Sequence, residues 1–202
     1  MVEEIKSLTP ETFWELYSNK LNKNATYTDY KDNKKWTKVV VGIAEEVIGD
    51  MLKDIPDDGV SKVHSEYFNI DLIGYTTRWF EQKRKRQHDW KLKIAYEHEN
   101  NANTWHDELC KLCYIVADLR VISSYYDFRK KKKIEELLQG MINKLGVWRI
   151  YRVPNSHWLF VFGPRPRLVC KGEPFRAFTI NSELKVVEIT GDKKVIPDKW
   201  IK

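Results

Sequence analysis

The hydrophobic period changes four times between Trp36 and Leu145, and this alternation constrains the fold more than any other feature of the chain. Trp36, Val40, Ile43, Val47 and Met51 recur at helical spacing, so 36–52 reads as an amphipathic helix. SEYFNIDLIGY at 65–75 and WKLKIAYEHE at 90–99 read as strands, rich in β-branched and aromatic residues. Helical spacing returns with Trp105, Leu109, Leu112, Cys113 and Val116, opened by a capping-box pattern at Thr104 and Asp107. LRVISSYY at 119–126 is a third strand. Asp127 can then cap a helix whose stripe is Ile134, Leu137, Leu138, Met141, Ile142 and Leu145, with Gly146 as its stop. Helices alternating with strands in this way imply an α/β sheet with helices on its faces.

The flanks fit around that core. Thr9 and Pro10 open a helix over about 10–21, within an N-terminal helical extension at 1–35. The α/β core covers 36–146. From 147 to 202 the runs VWRIYRV, HWLFVFG, FRAFTI and LKVVEI, broken by Pro154–Ser156 and by Asn181–Ser182, predict a C-terminal antiparallel β meander. At 202 residues, 42% hydrophobic and 13% aromatic, the chain suits one domain with a sizeable core. No apolar run approaches membrane-spanning length, and the first residues lack the basic-then-apolar pattern of a secretion signal. Three cysteines do not make a disulfide framework, so a cytoplasmic protein is expected.

The strand at 90–99 ends with Glu97 and Glu99, two residues apart and therefore on one face. Like charges so placed repel, and a plain strand gains nothing from them. Asp71 sits inside the apolar run Phe68, Ile70, Leu72, Ile73, where a charge is costly unless paired or bound to a metal. If the two strands pair, Asp71 lies across from Glu97, and three carboxylates converge on one sheet edge. Such an oxygen-rich cluster suits Mg²⁺, with Mn²⁺ as substitute. A divalent ion there activates water and neutralises charge on a phosphodiester. A lysine such as Lys91 or Lys93 is the alternative partner for Asp71.

An acidic residue in one strand followed in the next by a (D/E)-x-(D/E/K) signature resembles the PD-(D/E)xK superfamily, the restriction-endonuclease-like nucleases. The helix, strand, strand, helix, strand order over 36–126 is similar to the core of that fold. The resemblance implies a restriction-endonuclease-like α/β core, a mixed central sheet flanked by helices. It implies Asp71 as first metal ligand, Glu97 as second, and Glu99 in the slot usually held by lysine. Glu46, on the flank of the 36–52 apolar face, stands for the glutamate that this family often carries on its first core helix. With Glu99 in the lysine slot, a second metal ion or Glu99 itself has to manage the attacking water.

The formal net charge of +6 favours a polyanionic partner. The connection TTRWFEQKRKRQHD between the two strands is expected to protrude as a loop carrying Lys83, Arg84, Lys85 and Arg86. Arg129, Lys130, Lys131 and Lys132 precede the last helix, where cations oppose the dipole. Both runs are candidates for the nucleic-acid backbone, DNA before RNA. The expected activity is a Mg²⁺-dependent endonuclease, with a homodimer plausible because one such site cuts one strand. The alternative is a non-catalytic module of the same fold that binds nucleic acid or protein. His106, Cys110 and Cys113 share a helical face, but Cys113 belongs to the apolar stripe and no fourth zinc ligand is near in sequence. His98 alternates away from the two glutamates, and Asn100 and Asn101 read as a turn. No phosphate-cradling glycine loop, dinucleotide fingerprint or nucleophile elbow occurs.

Overall fold

A computed structural model describes residues 8–53, 55, 60–67, 69–82, 85–126, 133–146, 156–164 and 174–191, without the side chains of 78–82 and 85–89. The chain opens with α1 (Pro10–Asn24), α2 (Tyr27–Lys31) and α3 (Asn33–Lys53). Next come β1 (Val60–Tyr67), β2 (Ile70–Gln82), β3 (Lys85–Glu99), α4 (Trp105–Leu112), β4 (Leu119–Tyr126) and α5 (Ile134–Leu145). It closes with β5 (His157–Pro164), β6 (Arg176–Ile180) and β7 (Val186–Glu188). Among the described residues seven strands form one mixed sheet in sequence order. β1–β2 and β2–β3 are antiparallel, β3–β4 and β4–β5 parallel, β5–β6 and β6–β7 antiparallel. The fold is therefore α/β, as expected from the alternating periods.

Caps set the helix starts. Thr9 Oγ1 accepts from Thr12 N at 3.2 Å ahead of Pro10, and Asp32 Oδ1 accepts from Lys34 N and Lys35 N at 3.0 and 3.2 Å. Gly146, at φ 72°, ends α5 with its N–H on Ile142 O. Two apolar clusters sandwich the sheet. One joins Phe13, Tyr17 and Leu21 of α1, Tyr30 of α2 and the Val40–Leu52 stripe of α3 to Leu72, Ile94, Tyr96, Val121 and Val161. The other joins Trp105, Leu109 and Leu112 of α4 and Ile134, Leu138 and Ile142 of α5 to Ile73, Tyr75, Ala95, Ile122 and Phe160. Covered on both sides, β4 is buried at every residue, which is why LRVISSYY shows no alternation. Gly74 marks the closest approach of α3, since a Cβ there would meet Ile48 Cγ2 at 2.4 Å. Among the described residues no helix is long and apolar enough to cross a membrane.

Three features differ from the expected pattern. The run 65–75 is not one strand: Asn69, at φ 59°, turns the chain between β1 and β2, with Tyr67 paired to Ile70. β1 was illegible because it is an exposed edge strand with little apolar alternation. The connection at 76–89 is not a protruding loop but a continuation of β2 and β3, paired out to Gln82 and Lys85. Here inter-strand hydrogen bonds hold a polar sequence extended, helped by the β-formers Thr76, Thr77, Trp79 and Phe80. α4 stops at Leu112, and Val116 is 59% exposed rather than part of its stripe. Thr104 makes no side-chain cap. The expected strand at 147–153 and the Asp127 cap lie outside the described residues.

Candidate active site

β2 and β3 are antiparallel neighbours with Ile73 paired to Ala95 and Leu72 to Tyr96. One further step in the same register brings Asp71 opposite Glu97. Alternation along β2 puts Asp71 on the face of Ile73 and Tyr75, and along β3 it puts Glu97 on the face of Ala95, so both look toward the α4 layer. The crossover from β3 to the parallel β4 has to pass over this face, and α4 is that crossover. Glu108 and Lys111, three residues apart on α4, therefore arrive at the same place.

Lys111 Nζ stands 2.6 Å from Glu97 Oε1 and 2.5 Å from Glu108 Oε2, and donates to Asn69 O at 2.8 Å. The two carboxylate contacts are close ion pairs, and the Asn69 carbonyl is the hydrogen-bond acceptor. Asp71 Oδ2 accepts the backbone N–H of His98 at 2.7 Å. Glu97 is only 3% exposed. Burial pushes its carboxyl up to about 8; Lys111 opposes this, while Asp71 and Glu108 add to it. Burial also raises Asp71, against the His98 N–H and Lys111. On Lys111 burial works against the charge, but Glu108 and Glu97 outweigh it and raise its pKa. Three carboxylates around one ammonium leave excess negative charge in a desolvated place. A proton on Glu97 relieves it, and so would a divalent cation.

Glu99 does not join them. Its Oε1 accepts from Asn101 N at 2.6 Å, tying the carboxylate to the turn that leaves β3. Asn101 serves that turn too, with its Oδ1 accepting from Asn103 N at 3.0 Å. Glu46 is corrected as well: it is 58% exposed and its Oε2 pairs with Lys20 Nζ at 2.9 Å, because its position on α3 turns it toward α1 rather than toward the sheet. Among the described residues no group of three or more His, Cys, Asp and Glu side chains is arranged to hold a metal ion. Two carboxylates still suit Mg²⁺, which keeps several waters and is commonly held by one or two carboxylates plus substrate phosphate. Lys83, Arg84 and Arg129, Lys130, Lys131 and Lys132 lie outside the described residues; Lys85 and Arg86 are placed by their backbone, paired with Gln82 and Glu81.

Sequence reasoning reached Asp71 and Glu97 and missed Glu108 and Lys111. The available signal was an acidic and a basic residue three apart on the helix that must cross over the acidic end of β3. Lys93, one of the lysines weighed as a partner for Asp71, sits 3.5 Å from Asp118 instead.

The opposite face of β3 holds a second polar set. Tyr96 OH and His98 Nδ1 each lie 2.7 Å from Ser123 Oγ. His98 Nε2 is 3.2 Å from Asn100 Oδ1, and Asn100 Nδ2 donates to Thr37 Oγ1 at 2.5 Å. Burial pushes His98 down to about 4, against its bonds to Asn100 and Ser123. His98 thus faces away from the carboxylates, as the alternation predicted. Cys110 and Cys113 are not joined in a disulfide; the first is exposed and the second buried. Trp158 is buried, and Arg176 is paired with Glu188 and Glu135, so these two residues of the C-terminal part build structure. No family model, curated protein or solved structure matches this chain.

Proposed function

We propose that the chain is a metal-dependent nuclease with a restriction-endonuclease-like core, hydrolysing phosphodiester bonds in nucleic acid, DNA before RNA. The observation that carries this reading is the meeting of Asp71 and Glu97 on adjacent antiparallel strands, with Lys111 at 2.6 Å from Glu97. The order α3, β1, β2, β3, α4, β4 and its antiparallel, antiparallel, parallel pairing support it. In this reading the closing strands β5–β7 are an appended, partly antiparallel extension of the core sheet.

Asp71 and Glu97 would hold Mg²⁺ or Mn²⁺. When bound, the ion lowers the pKa of a water and stabilises charge on the phosphoryl oxygens. The rest falls to the chain. The His98 N–H orients Asp71 and favours its ionised form. Lys111 supplies from α4 the positive charge that Glu99 cannot supply from the third motif position, and Glu108 holds its ammonium beside Glu97. The apolar layer of Trp105, Leu109 and Leu112 limits water around the pair. Glu99 shapes the turn and takes no part in the chemistry. The basic residues Lys83 to Arg86 and those of 129–132 would meet the backbone phosphates. Two copies, each cutting one strand, would cut a duplex, which makes a homodimer part of this reading. Cys110 and Cys113, not joined in a disulfide, suit a cytoplasmic protein.

One observation favours a second reading, a non-catalytic binding module of the same fold: Glu97 already has a partner in Lys111. Calorimetry with Mn²⁺ and cleavage of plasmid and oligonucleotides decide between them. The nuclease reading expects Mn²⁺ binding that is lost in Asp71→Ala, with cleavage falling roughly 100-fold or more, the scale of a lost charge-stabilising group. Wild type that takes up no Mn²⁺ even with DNA present ends it. Metal uptake with every substrate left intact favours the module.

A further inference from the structure

Trp90 is 49% exposed on β3, while its neighbour Tyr75 on β2 is 6% exposed. Their rings lie 4.6 Å apart and parallel to within 3°. The indole therefore lies flat on a nearly buried tyrosine. One of its faces is covered, and half of its surface is still open to solvent. Tyr67 flanks it at 6.0 Å and 28°, and His64 meets Tyr67 at 5.7 Å. A single exposed tryptophan is unremarkable. An indole stacked on a nearly buried ring, with half of its surface open, can take a further ring, and that makes a stacking platform.

Its place in the fold says what it would take. Tyr75 belongs to the sheet face that carries Asp71 and Glu97, and Trp90 is seven residues before Glu97 on the same strand, roughly 20 Å along it. Exposed Lys62 is the β1 partner of Tyr75, and exposed Lys91 follows Trp90 on β3. In sequence, 78–91 carries six cationic residues against two acidic ones, Glu81 and Asp89. A flat aromatic face amid positive charge is complementary to one ligand class, a nucleobase on a phosphate backbone. Bases in an intact duplex are stacked on one another and have no free face to give.

We infer that the Tyr75–Trp90 stack binds an unpaired nucleobase, so that the strand delivered to Asp71 and Glu97 is single-stranded or locally frayed nucleic acid. The substrate assignment rests on the nuclease reading; the binding site itself does not.

The test is fluorescence anisotropy in EDTA, so that no cleavage contributes, with a labelled oligothymidylate of about 15 nucleotides, an abasic strand of the same length and a duplex. Wild type binds the oligothymidylate more tightly than the abasic strand or the duplex. Trp90→Ala loses roughly 10-fold or more on oligothymidylate and little on the abasic strand, while Trp90→Phe stays within a few-fold of wild type. The abasic comparison uses unaltered protein, so it stands even where Trp90→Ala folds poorly. Equal binding of oligothymidylate by wild type and Trp90→Ala overturns the inference. So does a wild type that binds the abasic strand or the duplex as tightly. A Trp90→Ala change that turns a dimer into a monomer and leaves binding untouched also overturns it, and makes the patch a contact between copies. Asp71→Ala separates the two proposals: it keeps oligothymidylate binding and loses Mn²⁺-dependent cleavage. Wild type that binds but never cleaves removes the nuclease and leaves the platform; cleavage with no Trp90 dependence of binding does the reverse.

Discussion

The end of β3 carries two polar sets back to back, and they are built on opposite principles. On the α3 side, Tyr96, Ser123, His98, Asn100 and Thr37 form a neutral chain in which each contact joins a donor to an acceptor. Burial keeps His98 uncharged there. On the α4 side, Asp71, Glu97 and Glu108 crowd one ammonium, and the charges do not balance. Both Glu97 and His98 are desolvated on one strand, so desolvation alone does not explain the contrast. A neutral, closed network rigidifies; an unbalanced buried cluster costs stability and is kept where a ligand completes it. The first is architecture and the second is the candidate site.

That contrast can be broken from either side. The largest expected effect is on chemistry: Glu97→Gln lowers cleavage roughly 100-fold or more while the melting temperature at neutral pH changes little, because burial already keeps a proton on Glu97 there. His98→Gln gives the opposite ranking, a small change in cleavage with a lower melting temperature. Lys111→Met comes next. It strands three carboxylates and costs about 3 kcal/mol in urea denaturation, at the low end for a broken buried pair because Lys111 is part-exposed. Millimolar Mg²⁺ restores much of that loss. On the neutral side, Tyr96→Phe costs about 1 kcal/mol and His98→Ala about 1–3 kcal/mol, with no recovery by Mg²⁺. A metal-insensitive Lys111→Met would erase the distinction between the faces.

The smallest effect is on the pH dependence of stability. Glu97 holds its proton in the folded chain up to about 8 and releases it near 4.5 when unfolded. Its contribution is complete below 4.5 and is lost as pH rises through 8. His98 moves the other way, from 6.5 to about 4, so its contribution is present above 6.5 and lost as pH falls through 4. The two oppose each other between about 4.5 and 6.5, so urea midpoints should decline in wild type chiefly from about 6.5 to 8, and Glu97→Gln should remove that decline. His98→Gln should flatten the acid side alone.

How much was legible follows from the range of each interaction. Asp71 and Glu97 could be paired from sequence because strand alternation and antiparallel register are local rules. The Trp36–Leu52 stripe was legible for the same reason, and it became α3. Glu99 misled because alternation fixes a face but not a rotamer, and the nearest free N–H, that of Asn101, took the carboxylate. Glu108 and Lys111 escaped because they read as an ordinary surface pair on a helix; only the crossover of α4 over β3 makes them neighbours of Glu97. β1 and the outer half of the β2–β3 hairpin escaped because partner strands, not their own composition, hold them extended.

The 2.7 Å grip on Asp71 comes from the main chain at position 98 and not from the His98 ring. The middle letter of Glu-x-Glu is thus chemically mute toward the carboxylates, yet its peptide unit does the gripping. Nineteen of the twenty amino acids carry the amide hydrogen needed there, and proline alone does not. A saturation library at this codon should accordingly separate into two phenotypes: many variants that differ in robustness yet still cut, and His98→Pro, which frees Asp71 to swing.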